Sequence, residues 1–142
     1  MQWQSVGERA LSGSMQQMTA KKQRELGSAG FRAYPNVAHA WGLSESQAAR
    51  LLGTPESTYR RWKRQPERAN LDVNHLERLS LILGIYKKLH ILLPREDAAD
   101  TWLKRPNASP VFQQQRPLDR MLAGHIADLV AVRRHLDGAC GW

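Results

Sequence analysis

Three features of the sequence predict an all-α chain. Apolar residues recur at helical spacing, polar caps stand just before those runs, and glycines or prolines stand just after them. Leu76, Leu79, Leu83, Tyr86 and Leu89 show the spacing most clearly, Ser44 and Gln47 the caps, and Gly53 the stop. The expected architecture is a helix-turn-helix unit followed by a small helical domain. Residues 1–30 form a flexible arm, 31–93 the helix-turn-helix and dimerisation region, and 94–142 the second domain.

The arm is polar, with Gly7, Gly13, Gly27 and Gly30 among many Ser and Gln. A short helix is expected within it at Met15–Leu26, carrying Lys21, Lys22 and Arg24. From Phe31 to Trp41 one apolar face appears (Phe31, Tyr34, Val37, Ala38, Trp41), with Pro35 near its start and Gly42 at its end. Ser44-Glu45-Ser46-Gln47 then opens a helix as a capping box, in which Ser44 and Gln47 satisfy each other's backbone amides. That helix buries Ala48, Ala49, Leu51 and Leu52 and stops at Gly53, whose missing Cβ favours the left-handed turn. Thr54 is expected to cap the next helix and Pro55 to occupy its first position, where a missing N–H costs nothing.

The second helix of this pair, Pro55 to Arg64, buries Tyr59 and Trp62 and is strongly basic elsewhere. Small Ala49 lets the helices cross closely, Gly53 turns the chain, and the two aromatics anchor the second helix. Such a pair is the helix-turn-helix arrangement, whose second helix enters the DNA major groove with its N-terminal part. Arg60, Arg61 and Arg64 suit bidentate contacts to guanine or phosphate, Ser57 and Thr58 suit either, and Gln47, Thr54 and Lys63 flank them. An ordinary helical hairpin with a solvated basic face fits less well, because caps, turn glycine, anchors and charge all agree.

Charge supports the same partner. The 142 residues carry a net charge of +8. Residues 1–69 hold 11 Lys/Arg against 5 Asp/Glu, a net +6, while residues 70–142 hold 10 against 8, a net +2. A basic half attracts polyanions, because neutralising phosphates releases their counterions.

Beyond Gln65-Pro66 a long helix is expected up to Leu93, capped by Asn70 or Asp72 and stopped by Pro94. Leu71, Ile82, Ile85 and Ile91 widen its apolar face, so it needs cover on more than one side, from its own domain or from a second copy. Gly84 inside it either weakens the helix by ~1 kcal/mol or marks a close helix crossing. Glu96 and Asp97 start the next helix, which holds Trp102 and Leu103 and breaks at Pro106-Asn107. Val111 and Phe112 anchor the loop that follows. Pro117 opens a short helix, Leu118 to Ala123, stopped by Gly124. The last helix runs from His125 to Leu136 and buries Ile126, Leu129, Val130 and Val132, and Asp137 to Trp142 is a glycine-flanked tail.

No enzymatic chemistry is indicated. Cys140 is the single cysteine, with no partner for a disulfide, and its place beside the terminal residues suits a nucleophile poorly. His39, His75, His90, His125 and His135 show no metal-ligand spacing, and no phosphate-cradling glycine loop is present, so neither metal nor cofactor is expected. The first residues show no secretory pattern and no apolar run approaches the ~20 residues of a membrane span, so a cytoplasmic, nucleoid-associated protein is expected.

Trp102-Leu103-Lys104-Arg105-Pro106-Asn107, then Phe112, then Arg116-Pro117-Leu118-Asp119-Arg120-Met121-Leu122 resembles the toxin-binding domain of Xre/MbcA/ParS-type antitoxins. The tandem of a W-L-x-x-P-N motif and a P-L-[DE]-x-[LM] motif is specific. The helix-turn-helix upstream matches the Xre-like order, so the resemblance covers about residues 35–142. The departures are Ala108-Ser109-Pro110-Val111 in place of a glycine-rich link, and the Met1–Gly30 arm. The resemblance implies the antitoxin of a toxin–antitoxin system that neutralises a NAD-consuming RES-domain toxin by covering its active site. It also implies repression of the shared operon, with double-stranded operator DNA and the toxin as partners; a homodimer is expected separately, from the strongly apolar Leu71–Leu93 helix and the two-fold symmetry of helix-turn-helix operators. Arg133, Arg134, His135, Asp137, Gly138, Cys140, Gly141 and Trp142 are the expected toxin-binding residues, since they combine cations, a flexible hinge and a terminal aromatic. The alternative is a stand-alone Xre-type repressor whose C-terminal third only dimerises or binds a ligand.

Overall fold

The chain forms seven helices and no strand among the residues described by this computed structural model, which are 21, 22, 25 and 27–139, with Glu96 by its backbone alone. The helices are α1 (27–40), α2 (Glu45–Leu52), α3 (Glu56–Arg64), α4 (Val73–Leu92), α5 (Glu96–Lys104), α6 (Pro117–Leu122) and α7 (Ile126–Ala139), with a 3-10 turn at Pro66–Arg68. The predicted all-α class and the order of the two domains are what the structure shows.

Helix α1 departs from its expected limits at the N-terminal end. Residues 27–30 are helical and belong to α1 rather than to an arm. Gly27 faces Leu76 and Gly30 faces Leu79 and Leu83, so their small size lets α1 lie close to α4. Pro35 is therefore inside the helix, where it withholds one amide from the i→i−4 ladder. The flanks hold it there, since Phe31, Tyr34, Val37 and Ala38 are all buried. Of the expected Met15–Leu26 helix only Lys21, Lys22 and Glu25 lie within the described residues, and all three are helical and exposed.

One apolar core runs through both domains. Phe31, Tyr34, Tyr59 and Trp62 pack edge to face in its upper part, with ring centroids 5.9–6.0 Å apart for Phe31–Tyr59, Phe31–Trp62 and Tyr34–Tyr59. Ile82, Ile85 and Leu89 of α4 continue it toward Leu103, Met121, Leu129, Val132 and Leu136. Helix α4 is thus covered by its own chain, from α1, α2, α5 and α7. Among the described residues only Val73 and Ile91 stay exposed of the large apolar side chains. Asp72, not Asn70, caps α4, through a box in which His75 N donates to Asp72 Oδ1 and Asp72 N donates to His75 Nδ1. Gly84 marks a close crossing: a methyl there would overlap the Arg133 guanidinium of α7.

Two arginines bind the halves together. Arg50 at the end of α2 donates to the carbonyls of Leu122 (2.6 Å) and Ala123 (3.2 Å), the free C-terminal acceptors of α6. Arg78 of α4 donates to Gly124 O at 2.9 Å and to Leu51 O at 3.4 Å. Carbonyls of α2 and of the α6–α7 turn are satisfied by the same guanidinium.

Candidate functional site

The α2–α3 turn is built from backbone hydrogen bonds. Gly53 sits at φ 77°; its N–H donates to Arg50 O, and the N–H of Thr54 reaches back to Ala49 O. These two bonds are the Schellman closure of α2. The backbone of Thr54 closes α2, while its side chain makes no cap and α3 begins only after Pro55, so the expectation that Thr54 caps α3 is corrected. Pro55 is the residue before α3, and no side chain caps that helix. Gln47 is also engaged, accepting from Ser44 N at 3.0 Å while its own N–H donates to Ser44 Oγ, the expected capping box. Tyr34 locks α1 to this unit by donating its hydroxyl to Ala48 O at 2.7 Å. Sequence reading missed that contact, although the buried face containing Tyr34 was visible.

The basic residues of α3 fall into two groups. Ser57, Arg61 and Arg64 stand at i, i+4 and i+7, so they share one stripe opposite the buried Tyr59 and Trp62. All three are exposed, and neither arginine makes an ion pair among the described residues. Arg60 and Lys63 lie toward α2 and are engaged. Arg60 Nε meets Glu45 Oε2 at 2.6 Å, Arg60 Nη2 meets Glu56 Oε1 at 2.5 Å, and Lys63 Nζ meets Glu45 Oε1 at 3.2 Å. Lys63 also lies 5.6 Å from the centre of the Tyr59 ring. The bonds from Arg60 and then Lys63 hold the Glu45 carboxyl below the usual carboxylate range. Burial, with help from the Glu45 charge, pushes Tyr59 up to about 12, and burial pushes Tyr34 well above the ordinary phenol. Thr54 and Thr58 are half-buried at the flank.

In the C-terminal domain the two motifs mostly build the fold. Leu103 is fully buried, and Trp102 meets Phe112 edge to face at 5.7 Å. Asn107 ties the loop closed: its side chain accepts from Ser109 N, its own N–H donates to Gln115 O, and its carbonyl accepts from Gln114 N. Gln113 and Gln114 are held at positive φ, 51° and 68°, inside this closed loop. Pro117, Leu118 and Met121 are buried. Arg116 clamps Asp119 and holds its carboxyl below the usual range, while Arg120 donates to Asp128 Oδ1 (3.1 Å) and to Val111 O. Beside α5 lies an open groove of about 490 Å³ lined by Leu93, Arg95, Trp102, Arg105 and Asn107.

The expected toxin-binding residues separate in the same way. Helix α7 continues to Ala139 instead of ending at Leu136, so Asp137 and Gly138 are helical and no hinge forms at Gly138. Two contacts extend that last turn: Leu136 is buried, and Asp137 Oδ1 pairs with Arg133 Nε at 3.1 Å and with Lys88 Nζ at 3.7 Å. His135 is half-buried against the domain, stacked 6.1 Å from Trp102 and set edge to face against Phe112 at 5.1 Å. Arg134 and Gly138, at i and i+4, remain on the exposed side. Cys140, Gly141 and Trp142 lie outside the described residues. Among the described residues no helix is long and apolar enough to cross a membrane, and no group of three or more His, Cys, Asp or Glu is placed to hold a metal ion.

A helix-turn-helix with an exposed arginine stripe, joined to a second helical domain, defines a class of two-domain helical protein. Family models narrow the class. Residues 22–84 match the antitoxin Xre-like helix-turn-helix domain, and residues 88–139 match the antitoxin Xre/MbcA/ParS C-terminal toxin-binding domain. The chain is also 40% identical over 112 residues to the uncharacterized protein y4oB of Sinorhizobium fredii (strain NBRC 101917 / NGR234), covering 78% of this chain and 84% of that protein. The chain therefore belongs to the Xre-type antitoxins, with a helix-turn-helix and a toxin-binding domain.

Proposed function

We propose that this protein neutralises a NAD-consuming RES-domain toxin and represses the operon that encodes both, as a homodimer on operator DNA. The observation that carries the reading is the tandem itself: an Xre-like helix-turn-helix whose α3 leaves Ser57, Arg61 and Arg64 exposed, followed directly by a toxin-binding domain. DNA is read by that stripe, with Gln47, Thr54 and Thr58 at its edge. The dimer rests on the two-fold symmetry of helix-turn-helix operators and predicts twice 16.2 kDa in light scattering.

The toxin is met by the exposed end of α7, through Arg134, Gly138 and the terminal Cys140, Gly141 and Trp142. Arg133, His135 and Asp137 act behind them by fixing α7 against α4 and α5. Co-expression with the neighbouring toxin tests this, following growth and cellular NAD. Deleting Gly138–Trp142 is expected to abolish protection and leave operator binding intact. Full protection by the truncated chain overturns the assignment to the tail. If the intact chain binds operator and protects against nothing encoded beside it, the protein is a stand-alone repressor.

A further inference from the structure

The α3 surface carries more positive charge in the sequence than it offers to DNA. Arg60 and Lys63 are gathered by one carboxylate, Glu45 at the start of α2, and Glu56 takes the other edge of Arg60. Both Glu45 oxygens are used, one by each cation, at 2.6 and 3.2 Å. The network stays solvated, with side-chain exposures of 56% for Arg60, 43% for Glu45 and 36% for Lys63. Exposed pairs of this kind contribute little to stability, roughly 0–1 kcal/mol. They are nevertheless well suited to holding cations away from an incoming phosphate.

We propose that Glu45 is a specificity-determining residue, which withholds Arg60 and Lys63 from DNA phosphates and so keeps sequence-independent binding low. This rests on the reading of α3 as the DNA-binding helix. Affinity for non-operator DNA comes from phosphate neutralisation, and each phosphate contact adds about 0.9 to the slope of log affinity against log salt. On non-operator DNA the protein is free to shift until every available cation meets a phosphate. On the operator, contacts by Ser57, Arg61 and Arg64 fix the register, so freed cations gain less. Releasing Arg60 and Lys63 therefore strengthens non-operator binding more than operator binding, and the ratio of the two falls.

The test is a salt titration of the full-length protein on operator and on random duplex of equal length. Glu45→Gln is expected to steepen the random-duplex slope by about 1 to 2, an extra loss of about threefold per recruited cation for a fourfold rise in salt. It should also lower the operator-to-random affinity ratio. An unchanged slope overturns the proposal. Arg60→Ala/Lys63→Ala in the otherwise native chain probes the same idea without touching the first turn of α2. It should leave the random-duplex slope as it was, and a fall of about 2 shows both cations already on phosphates and overturns the proposal. Arg61→Ala/Arg64→Ala keeps the two readings apart: undiminished operator binding by that variant means that α3 is not the reader, whatever Glu45 does.

Discussion

On α3, Arg61 and Arg64 point away from the core and make no ion pair among the described residues, whereas Arg116, Arg120 and Arg133 turn onto Asp119, Asp128 and Asp137. The two halves contain almost equal numbers of basic residues, 11 in residues 1–69 and 10 in residues 70–142. What separates them is the supply of carboxylates within reach. In the C-terminal domain Arg116 and Arg133 each brace a helix turn, and Arg120 ties α6 to α7 and to the Val111 loop. On α3 the arginines form a surface left open, trimmed by Glu45 and Glu56. Net charge alone points toward nucleic acid, but only the pairing says which cations are available.

The largest expected effect strikes what both halves share. Trp62→Ala removes an anchor buried against Phe31 and is expected to cost about 3–5 kcal/mol of stability, lowering the denaturant midpoint and weakening DNA binding together. A variant that loses only DNA binding would separate the domains more than the common core allows. Next comes a direct exchange of roles. Arg120→Ala strands Asp128 and the Val111 carbonyl and should cost about 1–3 kcal/mol of stability, with operator affinity unchanged once the protein is folded. Arg61→Ala should do the reverse, weakening the operator complex by about 1–3 kcal/mol if it grips guanine with both donors, at constant melting temperature. If both variants melt alike, the inward and outward arginines do not differ as described.

A smaller effect lies in pH. Tyr34 and Tyr59 hold their protons more tightly when folded than the ordinary phenol at about 10, so the folded state binds more protons above that pH. Stability should be flat up to about pH 10 and decline between about 10 and 12. Tyr34→Phe should shorten that decline and cost about 1 kcal/mol at neutral pH, from the lost bond to Ala48 O. Smallest of all, Gln114→Gly relieves a left-handed backbone in the loop closed by Asn107 and should raise stability by less than about 1 kcal/mol.

These contrasts also show which parts were legible in advance. The Ser44–Gln47 box, the Gly53 turn, the Tyr59 and Trp62 anchors and the Pro117 start are local signals, written within a few residues of where they act, and each is found in place. Thr54 is local too, yet it serves the helix behind it: its N–H closes α2 on Ala49 O, and its side chain makes no cap for α3. The engagement of Arg60 was not legible, since Glu45 stands fifteen residues earlier and meets it only once α2 and α3 cross. His135 read as part of a tail for a similar reason. Its partners, Trp102 and Phe112, come from α5 and its following loop and reach it only when α7 folds back. Gly84 offered two readings, and Arg133 of another helix decided between them.

The bonds from Arg50 to Leu122 and Ala123 join residues 72 and 73 positions apart, and Arg78 waits for Gly124 in the same way. During synthesis α2 and α4 leave the ribosome before α6 and α7, with Arg50 and Arg78 still short of their carbonyl partners and Ile82, Ile85 and Leu89 not yet covered by α7. They are completed only after the α6–α7 turn has emerged. Birth order and finishing order thus run in opposite directions, and a chain released early, before residue 124, carries the helix-turn-helix without the α6–α7 turn that Arg50 and Arg78 bind.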